Sequence, residues 1–255
     1  AIATASAPPG QITTLILPAN TAWEESDGPA DVPAIARRGT IADDAVTSAA
    51  KVLQSGEPTV LMLAGQALYE DTLNLAGRIA AKTGAGLISQ GANARLQRGA
   101  GRVAVNRIPF SVDQALEVLA PYRNIILVGA KPPVAFFAYP GKPSRLEAEG
   151  CQIHRLCELG EDAEDALARL AEAVGAKPGD AQVQQAFRPD LPTGALTAET
   201  IAAVLGNVLP EGAIVADESV SVGRGFFPMT AGTPPHDWLN NMGGSIGLGM
   251  PMATG

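Results

Sequence analysis

Four short apolar runs, separated by segments with helical spacing, constrain this chain more than any other feature. Thr59-Val-Leu-Met-Leu-Ala64 is unbroken and ends at Gly65; Asn124-Ile-Ile-Leu-Val128 is unbroken and ends at Gly129. Gly86-Leu-Ile-Ser89 and Cys151-Gln-Ile-His-Arg-Leu156 are shorter or more mixed. An apolar run without polar alternation needs cover on both faces, the condition of a strand inside a parallel sheet. Between the runs, residues 68–83 place Leu68, Leu75, Ala76 and Ile79 on one side, and Gly84 stands where such a helix would stop. Residues 111–119 read as a second helix with Ser111 at its N-cap, and 162–174 as an acidic, Ala-rich third. This alternation predicts right-handed βαβ units in a doubly wound parallel sheet of the α/β class, spanning residues 38–175.

The flanks read differently. Residues 24–37, rich in Pro, Asp and Glu, and residues 176–195, with Pro178, Pro189 and Pro192, are expected linkers. Residues 196–255 open a further, incomplete α/β domain. Thr197-Ala-Glu-Thr200 starts a helix, and Ala213-Ile-Val-Ala216 is a strand running into Asp217-Glu-Ser-Val-Ser221. A Gly-rich turn, Gly243-Gly-Ser-Ile-Gly247, then leads towards Pro251 and a last helix. In an open parallel sheet, ligands bind beyond the carboxyl ends of the strands. Bare backbone at a glycine turn admits anions or close ligand approach.

A net charge of -8 argues against nucleic acid or anionic membrane as partner. No stretch approaches the roughly 20 apolar residues of a membrane span. Cys151 and Cys157, the two cysteines, lack Cys-x-x-Cys spacing and read as reduced thiols of a cytoplasmic protein. His154 and His236 have no ligand-spaced partner, so no metal site is expected from them. His236-Asp-Trp238 suits either an active-site face or a structural role.

Ala216-Asp-Glu-Ser-Val-Ser221 and Gly243-Gly-Ser-Ile-Gly-Leu-Gly-Met-Pro251 carry a resemblance. The chain is similar to the thiamine diphosphate (ThDP) enzymes of the acetolactate synthase and benzoylformate decarboxylase superfamily. The resemblance implies ThDP and Mg²⁺ as cofactors, a 2-keto acid as substrate, and decarboxylase or carboligase chemistry in a homodimer or homotetramer. It implies a diphosphate cradle at Glu218, Ser219, Val220 and Ser221, where an ordinary polar turn is the plainer reading. It also implies ThDP contacts at Gly244, Ser245 and Ile246. Ile246 would be the wedge that bends ThDP into a V, so that its own amino group can deprotonate the thiazolium carbon. The Gly244 carbonyl would hold that amino group.

On the same resemblance the chain is an internal fragment, inactive by itself. Residues 1–23, with Gly10-Gln-Ile-Thr-Thr-Leu-Ile-Leu-Pro-Ala-Asn20, would carry the last strand of a pyrimidine-binding domain. The activating glutamate would lie before Ala1 and come from a partner subunit, and the Mg²⁺ ligands would lie beyond Gly255. The family's central domain carries FAD or ADP in some members. The loop 90–102, with Arg95, Arg98 and Arg102, suits a nucleotide phosphate or ion pairs with the protein's own acids. Phe136 and Phe137 suit either a substrate pocket or packing between domains. The resembling loop of benzoylformate decarboxylases has a catalytic histidine that is absent here, so no catalytic residue is assigned. Two other classes stay open: a nucleotide- or FAD-binding module without ThDP catalysis, and a non-catalytic subunit.

Overall fold

The computed structural model describes residues 1–244 and 246–255. In chain order it has α1 (Ile2–Ser6), α2 (Asp43–Gln54), β1 (Thr59–Leu63), α3 (Glu70–Thr83), β2 (Gly86–Ser89), β3 (Leu96–Arg98), β4 (Asn106–Arg107) and α4 (Val112–Leu119). Then come β5 (Asn124–Val128), β6 (Gln152–Cys157), α5 (Ala163–Val174), α6 (Ala198–Val208), β7 (Ile214–Asp217), α7 (Phe226–Met229), β8 (His236–Asn240) and α8 (Gly249–Thr254).

Five strands form the expected parallel sheet, in the order β4-β2-β1-β5-β6. Every residue of β1 and β5 is buried, as their unbroken apolar runs require. Alternate residues serve opposite faces. Leu61, Leu63, Ile126 and Val128 pack with α2, α3 and α5, whereas Val60, Met62, Ile125 and Leu127 pack with α4. Each such side chain contributes about 1.5–3 kcal/mol on leaving water. β2 is covered less completely, with Leu87 half-buried. The helix ends follow local chemistry. Gly84 closes α3 in the left-handed region at φ 75°, and the Asp162 carboxylate caps α5 by accepting from Glu164 N and Asp165 N. Ser111 occupies the cap position of α4 without a side-chain cap bond. Helix α2, with Asp43 and Asp44 in its first turn and Lys51 in its last, was not anticipated from the sequence.

A second sheet has the order β3-β8-β7, with β7 parallel and β3 antiparallel to β8. Thr197 and Thr200 form a reciprocal capping box at the start of α6. Strand β3 comes from the loop 90–102, so the central stretch supplies a strand to the terminal sheet. Residues 176–195 form no helix or strand, yet they are tied to both units: Gly101 N donates to Gln184 O, and Phe187 N to Gly232 O.

The strand expected within residues 10–20 is not formed. Ile12, Leu15, Ile16 and Leu17 are exposed, and among the described residues no strand pairs with this stretch. A strand without ladder partners or a covered face has nothing to hold it extended. No described helix is long and apolar enough to cross a membrane.

Candidate functional site

The two segments that carry the resemblance meet at the carboxyl end of β7. Asp217, the last residue of that strand, turns the chain: its Oδ1 accepts from the Ser219 N–H at 3.0 Å and from the Ser219 hydroxyl. Its Oδ2 accepts from Trp238 Nε1 at 3.0 Å, and Trp238 is fully buried in β8. The Glu218 carboxylate reaches across to the second segment, accepting from Gly249 N at 2.6 Å and from Gly247 N. Those bonds, Gly249's first and Gly247's second, hold the Glu218 carboxyl below the usual range. A Cβ on Gly249 would lie 2.7 Å from Glu218 Oε2 and 2.9 Å from Glu218 Cβ, so a side chain there would displace the carboxylate from this crossing.

The expected cradle is therefore divided. Ser219's N–H and hydroxyl are engaged by Asp217, a short Asx-type turn satisfying its own donors. Val220 and Ser221 are exposed, and Ser221 makes no side-chain hydrogen bond to a described residue. Ile246 is 93% exposed, so its side chain is free to meet a ligand. Gly244 is bare backbone at φ 69°, and a Cβ there would come within 3.5 Å of the Phe136 ring. Ser245 lies outside the described residues.

That contact joins the Phe136–Phe137 loop to the same place. The loop leaves β5 at Gly129, beside Ala64, where the sheet order reverses between β1 and β5. In doubly wound sheets this is the usual ligand crevice. Phe136 and Phe137 stack edge-on at 4.7 Å between ring centroids, with Phe110 at 5.6 Å and 6.2 Å from them and Tyr139 at 6.0 Å from Phe137. Phe110 and Tyr139 are additions to the sequence reading. Phe110 follows β4, whose two residues are too few to show as a strand signal.

The three arginines of the loop 90–102 all turn to the protein itself. Arg95 pairs with Asp237 at 2.6 Å, and Arg102 with Glu70 at 2.8 Å, also donating to His236 O at 2.9 Å. Arg98 donates to Thr230 Oγ1 and Phe227 O, both at 2.6 Å, with its guanidinium 3.7 Å over the Phe227 ring. Burial, and secondarily the nearby Arg107, lower its pKa to about 9. Each of the three arginines thus has a partner within the protein.

His236 is buried, with Nδ1 2.8 Å from the Pro234 carbonyl, and burial lowers its pKa to about 4. It serves the sheet, the structural alternative. His154 Nε2 sits 3.0 Å from Asn124 Oδ1. Cys151 and Cys157 are free thiols, and burial pushes Cys157 up to about 12. Among the described residues no group of three His, Cys, Asp or Glu side chains could hold a metal.

The architecture is thus a parallel α/β unit joined to a second sheet whose strand ends meet an exposed aromatic loop. The fold is similar to that of solved ThDP-dependent enzymes, and the sequence is similar to a relative named as an acetolactate synthase large subunit. The chain is 45% identical over 246 residues to the "Putative acetolactate synthase large subunit IlvX" of Mycobacterium tuberculosis, covering 96% of this chain and 47% of that one. It is similar in structure to "a putative thiamin diphosphate-dependent enzyme" from Mycobacterium smegmatis, with TM-score 0.68, 21% identity, and 98% and 51% of the two chains covered. It is also similar to the ThDP-dependent 4-hydroxybenzoylformate decarboxylase of Rhodococcus jostii RHA1, with TM-score 0.64, 18% identity, and 92% and 46% covered. No protein-family model matches. The chain spans about half the length of the curated relative it matches.

Two features suit part of ThDP: the exposed Ile246 side chain, and the open backbone at Gly243 and Gly247, where a Cβ would meet nothing within 4 Å. Among the described residues no group of three or more His, Cys, Asp or Glu side chains gathers for Mg²⁺, an ion that commonly takes one or two carboxylates together with phosphate oxygens.

Proposed function

We propose that this chain forms part of a ThDP- and Mg²⁺-dependent enzyme acting on 2-keto acids, as a decarboxylase or carboligase. One observation carries the reading: Glu218 draws the Gly247–Gly249 backbone onto the end of β7, and Phe136 abuts Gly244. Cofactor-like and pocket-like residues so converge at one strand end. When bound, ThDP supplies the nucleophilic carbon and the electron sink for breaking the bond next to the keto group. In this chain Ser221 would bind diphosphate oxygens, Ile246 would fix the angle between the cofactor rings, and the Gly244 carbonyl would accept from the amino group. Phe136 and Phe137 would cover the reacting centre and exclude water. No residue of this chain is assigned as a Mg²⁺ ligand or as the activating carboxylate.

The test is turnover of a 2-keto acid against a ThDP titration with Mg²⁺ present, in the full-length protein that contains this chain. Ile246→Ala should lower turnover at saturating ThDP by about tenfold or more, because the reacting groups lose their mutual positioning. Ser221→Ala should raise the ThDP concentration required and leave turnover at saturation nearly intact. If Ile246→Ala mainly shifts the titration midpoint, Ile246 is not the wedge.

A further inference from the structure

A doubly wound sheet that holds a nucleotide does so where its strand order reverses, here between the ends of β1 and β5. The diphosphate there needs open space over glycine backbone and a helix N-terminus with free N–H groups. In this chain the protein itself takes up the space and the donors. Gly65 follows β1 and Gly129 follows β5, and a Cβ on Gly129 would lie 2.8 Å from Ala64 O, so the two strand ends are already in contact. Leu159, from the turn between β6 and α5, lies across them. Although 41% exposed, it points its tip inward: Cδ1 is 2.5 Å from where a Cβ on Gly65 would stand, and its Cα is 3.9 Å from the corresponding point on Gly129.

The helix after β1 is also set back from the strand end. A 3₁₀ turn over Gly65–Leu68 intervenes, with Ala67 and Leu68 fully buried, and α3 begins only at Glu70. The Glu70 N–H donates to Gln97 Oε1 at 2.7 Å, and the Leu73 N–H to Tyr69 O at 2.7 Å. Glu70 and Asp71 fill the first turn with carboxylates, which take the favourable end of the helix dipole that a phosphate would use. Gln66 is committed as well, its Oε1 accepting from Ala163 N at 3.2 Å beside the Asp162 cap of α5. Behind Leu159, Arg38 Nη1 donates to Leu159 O, Gly39 N to Gly160 O, and Asp162 N to Gly39 O.

We infer that the β6–α5 turn closes this crevice and that the central unit takes no FAD or ADP there, in disagreement with what the resemblance implies for some family members. The crevice serves instead as a joint, where Leu159, Gln66 and Arg38 fasten residues 38–39 and the start of α5 to the end of β1. A nucleotide would have to expel Leu159 and find donors already engaged before gaining any contact of its own. The ThDP reading concerns β7 and the Gly-rich turn, and stands or falls separately.

The experiment uses the full-length protein that contains this chain. FAD, followed by flavin fluorescence, and ADP, followed by calorimetry, are each titrated to about 1 mM, a range that captures even weak specific binding. Hydrogen-exchange mass spectrometry is run with and without each nucleotide. Neither should protect the peptides spanning 63–70, 127–131 and 157–163. Saturable binding of either nucleotide with protection of these peptides overturns the inference. A second arm tests the plug without any nucleotide. Leu159→Ala should quicken exchange in 63–70 and 127–131 by about tenfold and lower the melting temperature by a few degrees, whereas Leu159→Met, of similar volume, should keep both near wild type. Exchange in Leu159→Ala equal to wild type would mean that the side chain lies in solvent and leaves the crevice open, and would equally overturn it.

Discussion

Strands β1 and β7 start from similarly apolar sequences, Thr59-Val-Leu-Met-Leu63 and Ile214-Val-Ala-Asp217, and end in different states. β1 has β2 and β5 as neighbours and helices over both faces, and every residue is buried. β7 is the edge of a three-stranded sheet, with Ile214 69% exposed. Helix α6 in the same region leaves Ile201, Val204 and Val208 exposed. The difference lies in the neighbours and not in the strands themselves. The terminal sheet gains its order through its seam with the central unit, where β3 and the three arginines hold β8. The candidate site sits on the less covered side of that seam, where side chains remain free for a ligand.

The largest expected effect separates the two sheets directly. Leu61→Ala should destabilise the protein by about 3 kcal/mol, since it opens a cavity among fully packed neighbours. Ile214→Ala should stay within about 0.5 kcal/mol, because most of its side chain already meets water. Urea unfolding followed by circular dichroism reads both. An Ile214→Ala cost equal to that of Leu61→Ala would break the comparison and mean that β7 is covered in solution.

The seam comes next. Arg98→Met keeps some volume over Phe227 but removes the charged hydrogen bonds to Thr230 and Phe227, a loss of about 2 kcal/mol. The loss should be local: amide exchange in β7 and β8 should quicken while that in β1 and β5 stays unchanged. Equal acceleration in both sheets would show one cooperative unit rather than two joined ones.

The same contrast explains what was legible in the sequence. β1, β2 and β5 could be read because an unbroken apolar run has one common use in an α/β fold. The Thr197 cap could be read because its chemistry is local, whereas Asp162, read as the first residue of a helix, is that helix's cap. β3 and β8 could not. Leu96-Gln-Arg98 carries no strand signal of its own, and its pairing to residues 236–238 depends on a chain more than a hundred residues distant. The site divides likewise. The approach of the Asp217–Ser221 turn to the Gly-rich turn was implied by resemblance. That Ser219 would satisfy Asp217, and Glu218 the Gly247 and Gly249 amides, depends on angles that no residue type announces. Phe110 was hidden for a similar reason, since only the folded loops bring it to Phe136.

A smaller effect should appear with pH. His236 is held neutral by burial, with its pKa at about 4 against 6.5 for the free side chain. Between those values the unfolded chain takes a proton that the folded one refuses. This group's contribution is therefore intact above about pH 6.5 and declines towards pH 4, by about 1–2 kcal/mol after allowing for partial screening by solvent. Carboxylates titrate in the lower part of the same window, so the informative quantity is the difference between wild type and His236→Gln. That difference should shrink steadily from pH 7 to pH 4 in urea titrations. A constant difference would place His236 in contact with water and loosen the seam relative to the structure.

The smallest effect should be at Glu218, which is half-buried and acts only on the path of the backbone. Its carboxylate accepts from Gly249 N and Gly247 N, and these bonds favour the charged form, so its pKa lies below the ordinary value. The tie should be complete above pH 4.5 and should fail as the pH falls through the lowered value. In ¹⁵N-resolved NMR spectra, the Gly247 and Gly249 amides should shift together over that lower range, following Glu218. In Glu218→Gln the titration should vanish, and the two amides should exchange a few-fold faster, because a neutral amide oxygen is a weaker acceptor than a carboxylate. Global stability should hardly change. The measurement sharpens the comparison at its finest point, since it asks whether the candidate site is held open by a bond of its own or only by the sheet behind it. If the two amides fail to follow Glu218, the Gly-rich turn is not fastened to β7 in solution, and a ligand would have to supply the order that this carboxylate is assigned here.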